Sequence, residues 1–101
     1  MNAKKDSSPS DPQDGFDYLE YPVEFNFKAL CRAEEGAPAI AYIAGIITPM
    51  VDDGALLDLT SKTSRTGRFE SVTAVVRIKS RDELESIYKL IAQSSRVVMT
   101  L

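Results

Sequence analysis

The sequence predicts an α+β domain in which a four-stranded antiparallel sheet carries two helices on one face. Two observations lead to it. Apolar residues recur with a period of two in four stretches and at spacings of three and four in two others, and the stretches follow one another in the order βαββαβ. The chain has 101 residues, the usual size of one domain, and neither a repeat nor a second apolar block divides it. With 44% apolar and 27% charged residues it has the make-up of a chain that folds.

Residues 1–15 have no apolar period and are rich in Ser, Pro, Asp and Lys, so ordering them would cost backbone entropy with no burial in return. They are expected to form a disordered acidic, polar tail in front of a single domain over 16–101. Phe16, Tyr18, Leu19 and Tyr21 are expected to tie that tail to the domain edge. Val23, Phe25, Phe27, Ala29 and Cys31 then alternate with more polar neighbours, as on a strand covered on one face. Gly36 closes the connection, and Pro38 suits the first turn of a helix, where its missing N–H is no loss. Ile40, Ile43, Ala44, Ile47, Met50 and Val51 make one apolar stripe, weakened in its last turn by Pro49.

Asp52, Asp53 and Gly54 form a turn, after which Leu57 and Leu59 share one side of a short second strand. Ser61 to Arg68 reads as a polar, basic hairpin loop ending at Gly67. Val72, Ala74, Val76 and Ile78 alternate in the third strand. Ser80 and Glu83, three apart before an apolar run, are spaced to cap a helix start. That helix carries Leu84, Ile87, Tyr88 and Ile91 on one face, and Val97, Met99 and Leu101 alternate in a last strand. Two right-handed crossovers on one face place the strands in the order 4-1-3-2, the ferredoxin-like βαββαβ sandwich.

The most apolar stretch, Ala37 to Val51, contains two prolines and is shorter than the roughly 20 residues that span a bilayer, so no membrane segment is expected. Lys4 and Lys5 are followed by polar residues, not by the apolar core of a secretory leader. A lone cysteine, Cys31, cannot form an internal disulfide, and together these features predict a cytoplasmic protein. The formal charge is −3, and residues 1–20 alone carry that balance. The remainder is neutral but divided: residues 61–81 hold Lys62, Arg65, Arg68, Arg77, Lys79 and Arg81 against Glu70, while residues 21–60 are net negative.

Tyr21-Pro22-Val23-Glu24-Phe25-Asn26-Phe27-Lys28, Gly67-Arg68-Phe69-Glu70-Ser71-Val72 and the closing Arg96-Val97-Val98-Met99-Thr100-Leu101 together resemble the YbeD-like family of small bacterial proteins, whose function is not established. The likeness covers about residues 18–101. It implies a ferredoxin-like fold similar to the small-molecule-sensing ACT regulatory domains, in a cytoplasmic bacterial protein, and it brings no catalytic residues. Glu70 stands where the family pattern admits a histidine, so no role resting on an imidazole carries over, and the acidic tail is an addition to the pattern.

The chain has no histidine, which removes the commonest general base near neutral pH and every Ser/His or Cys/His arrangement. Asp52 and Asp53 sit beside Gly54 as turn formers. Cys31 falls on the inward face of its strand as a small buried hydrophobe, and a zinc or copper site would need further Cys or His ligands that the chain lacks. No catalytic residue, cofactor or metal is expected, and the chain is read as a non-enzyme.

Domains of this fold that bind RNA stack bases on rings projecting from the two central strands. The outward positions expected here are Asn26, Lys28 and Leu30 on the first and Thr73, Val75 and Arg77 on the third, with no ring, so specific nucleic-acid binding is not expected. What remains is binding of a protein, a second copy of the chain included. Leu30, Val75 and Val98 are expected to form an apolar patch on the uncovered sheet face, framed by Lys28, Arg77 and Thr100. The loop from Lys62 through Arg65 to Arg68, with Arg77 and Lys79 on the adjoining strand, supplies its positive part. The alternative, implied by the likeness to ACT domains, is small-molecule sensing at the turn of Glu34, Glu35 and Gly36, where a strand end meets a helix start.

Overall fold

The computed structural model describes Phe16 and residues 18–101, so the tail expected over 1–15 lies outside the described residues. The chain runs β1 (Val23–Arg32), α1 (Ala39–Ile47), β2 (Leu56–Thr63), β3 (Phe69–Ile78), α2 (Arg81–Gln93) and β4 (Val97–Thr100). The sheet order is β2-β3-β1-β4, every pairing is antiparallel, and the fold is the ferredoxin-like sandwich read from the sequence.

Register explains which face is covered. Phe25 pairs with Val76, Phe27 with Ala74 and Ala29 with Val72, so these residues share the face on which both helices lie. Ile43 and Ile47 of α1 and Leu84, Ile87 and Ile91 of α2 close over them, and each is almost fully buried. Each such side chain contributes about 1.5–3 kcal/mol through its removal from water. α1 covers β2 and β3, and α2 covers β1 and β4. Phe16 closes the margin of this core, meeting Phe25 and Tyr88 edge-on at centroid distances of 5.7 and 5.9 Å. The Tyr21 hydroxyl donates to the Phe16 carbonyl at 3.3 Å.

Local chemistry sets the helix ends. The Ser80 hydroxyl accepts the Glu83 N–H at 3.2 Å, as the spacing predicts, but the Glu83 carboxylate reaches back past the cap to the N–H of Lys79 at 2.9 Å. Pro49, which lacks an N–H, turns the end of α1 into a 3₁₀ turn over Thr48–Met50.

Two strands differ from expectation. β2 is longer than the short strand expected, and its ladder runs through Ser61, Lys62 and Thr63. Leu57 is the extra residue in a bulge, so Leu56 and Leu59, not Leu57, pack on the core. β4 carries a second bulge: Val97 pairs with Cys31 and Met99 with Leu30, leaving Val98 as the extra residue. The simple alternation of Val97, Met99 and Leu101 is broken there. Thr100 turns to the helices, where its hydroxyl meets that of Tyr88 at 3.1 Å, and Met99 joins Leu30 on the uncovered face.

Candidate functional site

The uncovered face of the sheet is assembled from the residues that alternate with the core. One row crosses all four strands: Lys62 pairs with Ser71, Ser71 with Leu30, and Leu30 with Met99. At the usual strand spacing that row is about 14 Å long. It joins a cation at one edge to an exposed methionine, 51% accessible, at the other. Phe69 pairs with Arg32 in the next row, so an aromatic ring does stand on this face. The outward set expected from the sequence omitted it because β3 begins at Phe69, ahead of the clear valine alternation.

The hairpin between β2 and β3 is tightly bonded. Ser64 N–H donates to the Phe69 carbonyl at 2.8 Å, Gly67 N–H to the Ser64 carbonyl at 3.0 Å, and Phe69 N–H to the Ser64 hydroxyl at 3.1 Å. Gly67 takes φ +78°, a conformation that side chains rarely adopt. Ala33 N–H then donates to the Arg68 carbonyl at 2.9 Å and fastens the hairpin to the end of β1. Lys62, Arg65 and Arg68 are exposed and have no ion-pair partner among the described residues. Arg32 adds a fourth exposed cation, one N–H of which donates to the Ser95 carbonyl at 2.6 Å.

Two shallow niches share Phe69 in their lining. One, of about 210 Å³, is lined by Leu30, Phe69, Ser71, Lys62 and Arg65 among others; the second, of about 490 Å³, by Arg32, Ala33, Gly67, Arg68 and Phe69.

The structure divides the residues singled out in the sequence. Lys62, Arg65, Arg68 and Leu30 come together at the hairpin end. Arg77 and Lys79 do not: they lie at the far end of β3, nine and more residues away, or about 30 Å along a strand. There Lys79 pairs with Asp52 at 3.2 Å and Arg77 is opposite Glu24. Val75 is on the uncovered face but pairs with Asn26 and Asp58, nearer the middle of the sheet. Val98 occupies the β4 bulge, and Met99 takes the place expected for it beside Leu30.

The turn of Glu34, Glu35 and Gly36 is closed by a bridge between Glu34 and Ala37, with Gly36 at φ +76°. The start of α1 beside it already holds an anion: a Glu70 carboxylate oxygen accepts the Ala39 N–H at 3.0 Å. The other Glu70 oxygen lies 3.8 Å from Nη2 of Arg96, and Glu34 lies 3.8 Å from its Nε. Arg96 is 6% exposed. Its Nε donates to the Arg32 carbonyl at 2.7 Å, its guanidinium lies over the Tyr42 ring, and Nη2 makes no hydrogen bond among the described residues. Tyr42 in turn bonds to the Ser94 hydroxyl. Sequence reading missed this buried cation because an arginine just before a strand looks like any surface charge. Cys31 beside it is fully buried; burial raises its pKa, the nearby Arg96 lowers it and Glu70 raises it.

The fold and this site define a class: a small ferredoxin-like domain with one helix-covered face and one bare face that is apolar and cationic at its hairpin end. The chain belongs to the family described as a protein of unknown function (DUF493), which matches residues 17–101. It is 29% identical over 84 residues to the UPF0250 protein NE1487 of Nitrosomonas europaea, covering 82% of this chain and 93% of that protein. To the UPF0250 protein of Shewanella amazonensis it is 35% identical over 77 residues, covering 74% and 81%. The solution structure of HP0495 from H. pylori superposes with a TM-score of 0.62 at 16% identity, over all of this chain and 96% of that one, and it shares the fold. The resemblance to the YbeD-like proteins accords with these matches.

Proposed function

We propose that this protein is a non-catalytic regulatory or adaptor domain of the bacterial cytoplasm that acts by binding another protein through the hairpin end of its bare sheet face. One observation carries the proposal. Apolar side chains of Leu30, Phe69 and Met99 share that end with four exposed cations, Arg32, Lys62, Arg65 and Arg68, three of which have no ionic partner among the described residues. Cations held apart from neutralising carboxylates steer the approach of an acidic partner, and the apolar groups between them supply the short-range attraction. The lack of histidine supports a role without acid–base chemistry, and the single unpaired, buried Cys31 accords with a reducing compartment.

The test is crosslinking from defined positions in living cells. A photoreactive phenylalanine derivative in place of Thr73, on the bare face, is compared with one in place of Leu90, exposed on α2. The expected result is an identified acidic protein joined from position 73 and not from position 90. That adduct disappears when Lys62, Arg65 and Arg68 are changed together to Ser in a chain whose circular dichroism is unaltered. Equal adducts from both positions, or an adduct indifferent to the triple change, would overturn the proposal.

A further inference from the structure

The two niches beside Phe69 carry more detail than the presence of a binding face. Resting on the binding surface proposed above, we infer that its occupant is an extended acidic peptide segment in which one apolar side chain is followed at two residues' distance by a carboxylate and has further carboxylates about it.

The geometry of the face supplies each part. The niche of about 210 Å³ has Leu30 and Phe69 as apolar walls and Lys62 and Arg65 at its rim. That is room for one aliphatic side chain. The niche of about 490 Å³, which Phe69 also lines, is bounded by Arg32 and Arg68. Leu30 and Arg32 are two apart on β1 and lie on one face, about 6.5–7 Å from one another along the strand. An extended peptide repeats its own side chains on one face at the same interval. A residue seated against Leu30 and Phe69 therefore places its neighbour two positions along over Arg32 and Arg68, while Lys62, in the row of Leu30 across the strands, and Arg65 in the hairpin flank the seated residue itself.

The chemistry at each end fits carboxylates. Arg68 has no ionic partner among the described residues, and Arg32 uses one N–H on the Ser95 carbonyl, which leaves further guanidinium donors for an incoming anion. The hydrogen bonds of Ser64, Gly67 and Phe69, with that of Ala33 to the Arg68 carbonyl, hold the hairpin backbone in place before the peptide arrives. Two carboxylates of this end are otherwise engaged: Glu70 faces the start of α1 and Arg96, and Glu34 faces Arg96. A single ring offers no second platform for a neighbouring base, which sets a peptide ahead of single-stranded nucleic acid here.

The probe is the fluorescein-labelled peptide Asp-Asp-Ser-Leu-Ser-Asp-Asp, titrated with the full chain and read by fluorescence anisotropy. Saturable binding that weakens as salt rises is expected. Replacing the peptide's leucine by serine is expected to weaken it about tenfold, the loss of one apolar side chain from a niche. Arg68→Ser and Lys62→Ser are each expected to weaken it several-fold, and Arg77→Ser, at the far end of the sheet, to leave it unchanged. Absence of binding at millimolar peptide, equal binding of the leucine and serine peptides, or tighter binding of a deoxythymidine oligomer would each overturn the inference. Loss of the crosslinked partner in the Lys62, Arg65, Arg68 triple variant with no binding of the peptide leaves the surface in place and rejects the motif. A partner adduct indifferent to the triple change rejects the surface itself.

Discussion

Arg96 and Glu70 show how single residues hold the domain's hairpin end together. Glu70 begins on the covered face of β3 and serves two elements at once, accepting the first N–H of α1 and facing the guanidinium that grips the end of β1. Changing Glu70 to Ala removes both, and is expected to cost about 1.5–3 kcal/mol in a urea unfolding series, whereas Glu70→Gln, which keeps an acceptor for Ala39, is expected to cost less. Equal stability of both variants and the parent would show that the cluster holds nothing.

Cys31 gives a pH signature. Its thiol pKa is raised first by burial, so the folded chain favours the protonated form more than the unfolded chain does. That stability is fully present below the ordinary thiol value of about 8.5 and is lost as pH rises from there through the raised value of the folded chain. The melting temperature is therefore expected to fall above about pH 8.5, and Cys31→Ala is expected to flatten that fall. Tyr21, raised by burial and by Glu85, acts with the same sign, but only above its ordinary value of 10.0. Labelling of Cys31 by a thiol reagent is expected to be slow in the native protein and to accelerate on unfolding. Both Cys31 and its inward neighbours were legible in the sequence because strand alternation is a local signal. Arg96 was not, since its burial depends on Tyr42 and Glu70, which lie more than twenty residues away in the chain.

At the scale of elements, the strands and helices stand near where periodicity placed them, and the deviations are two bulges and a β2 that runs through Ser61, Lys62 and Thr63, read from the sequence as loop. The alternation of β1 and β3 and the Ser80 cap are each encoded by neighbours in sequence, and each is seen; the α1 stripe keeps Ile43, Ile47, Met50 and Val51 but takes Ala39, Tyr42 and Ile46 in place of Ile40 and Ala44. Leu57 and Val98 were assigned to the wrong set because a bulge shifts the parity of every residue beyond it, and apolar runs such as Leu56-Leu57 and Val97-Val98 satisfy either parity. The helix-on-sheet packing is tested by Ile43→Ala and Val76→Ala, from facing layers of one core, each expected to destabilise by about 1–4 kcal/mol in chemical unfolding. Ser80→Ala is expected to cost about 1 kcal/mol through the lost cap. Deleting residues 1–15 is expected to leave the melting temperature unchanged, while Phe16→Ala, which removes the ring set against Phe25 and Tyr88, is expected to lower it by several degrees.

For the whole molecule, the separation of faces matters more than any one side chain. One face is spent on the helices, and the other keeps a row from Lys62 to Met99 open to solvent. The positive run over residues 61–81 was legible as a count, but a strand of ten residues carries its two ends apart, and at the far end Lys79 pairs with Asp52 while Arg77 stands opposite Glu24. Arg32 and Phe69, which complete the hairpin end, come from pairing of distant segments and have no local signature. The most direct test of that surface is a map of backbone amide shifts in the ¹⁵N-labelled full chain on titration with the crosslinked partner. Changes are predicted at Leu30, Arg32, Lys62 to Ser71 and Met99; changes concentrated on α1 and α2, or around Arg77 and Lys79, would contradict it.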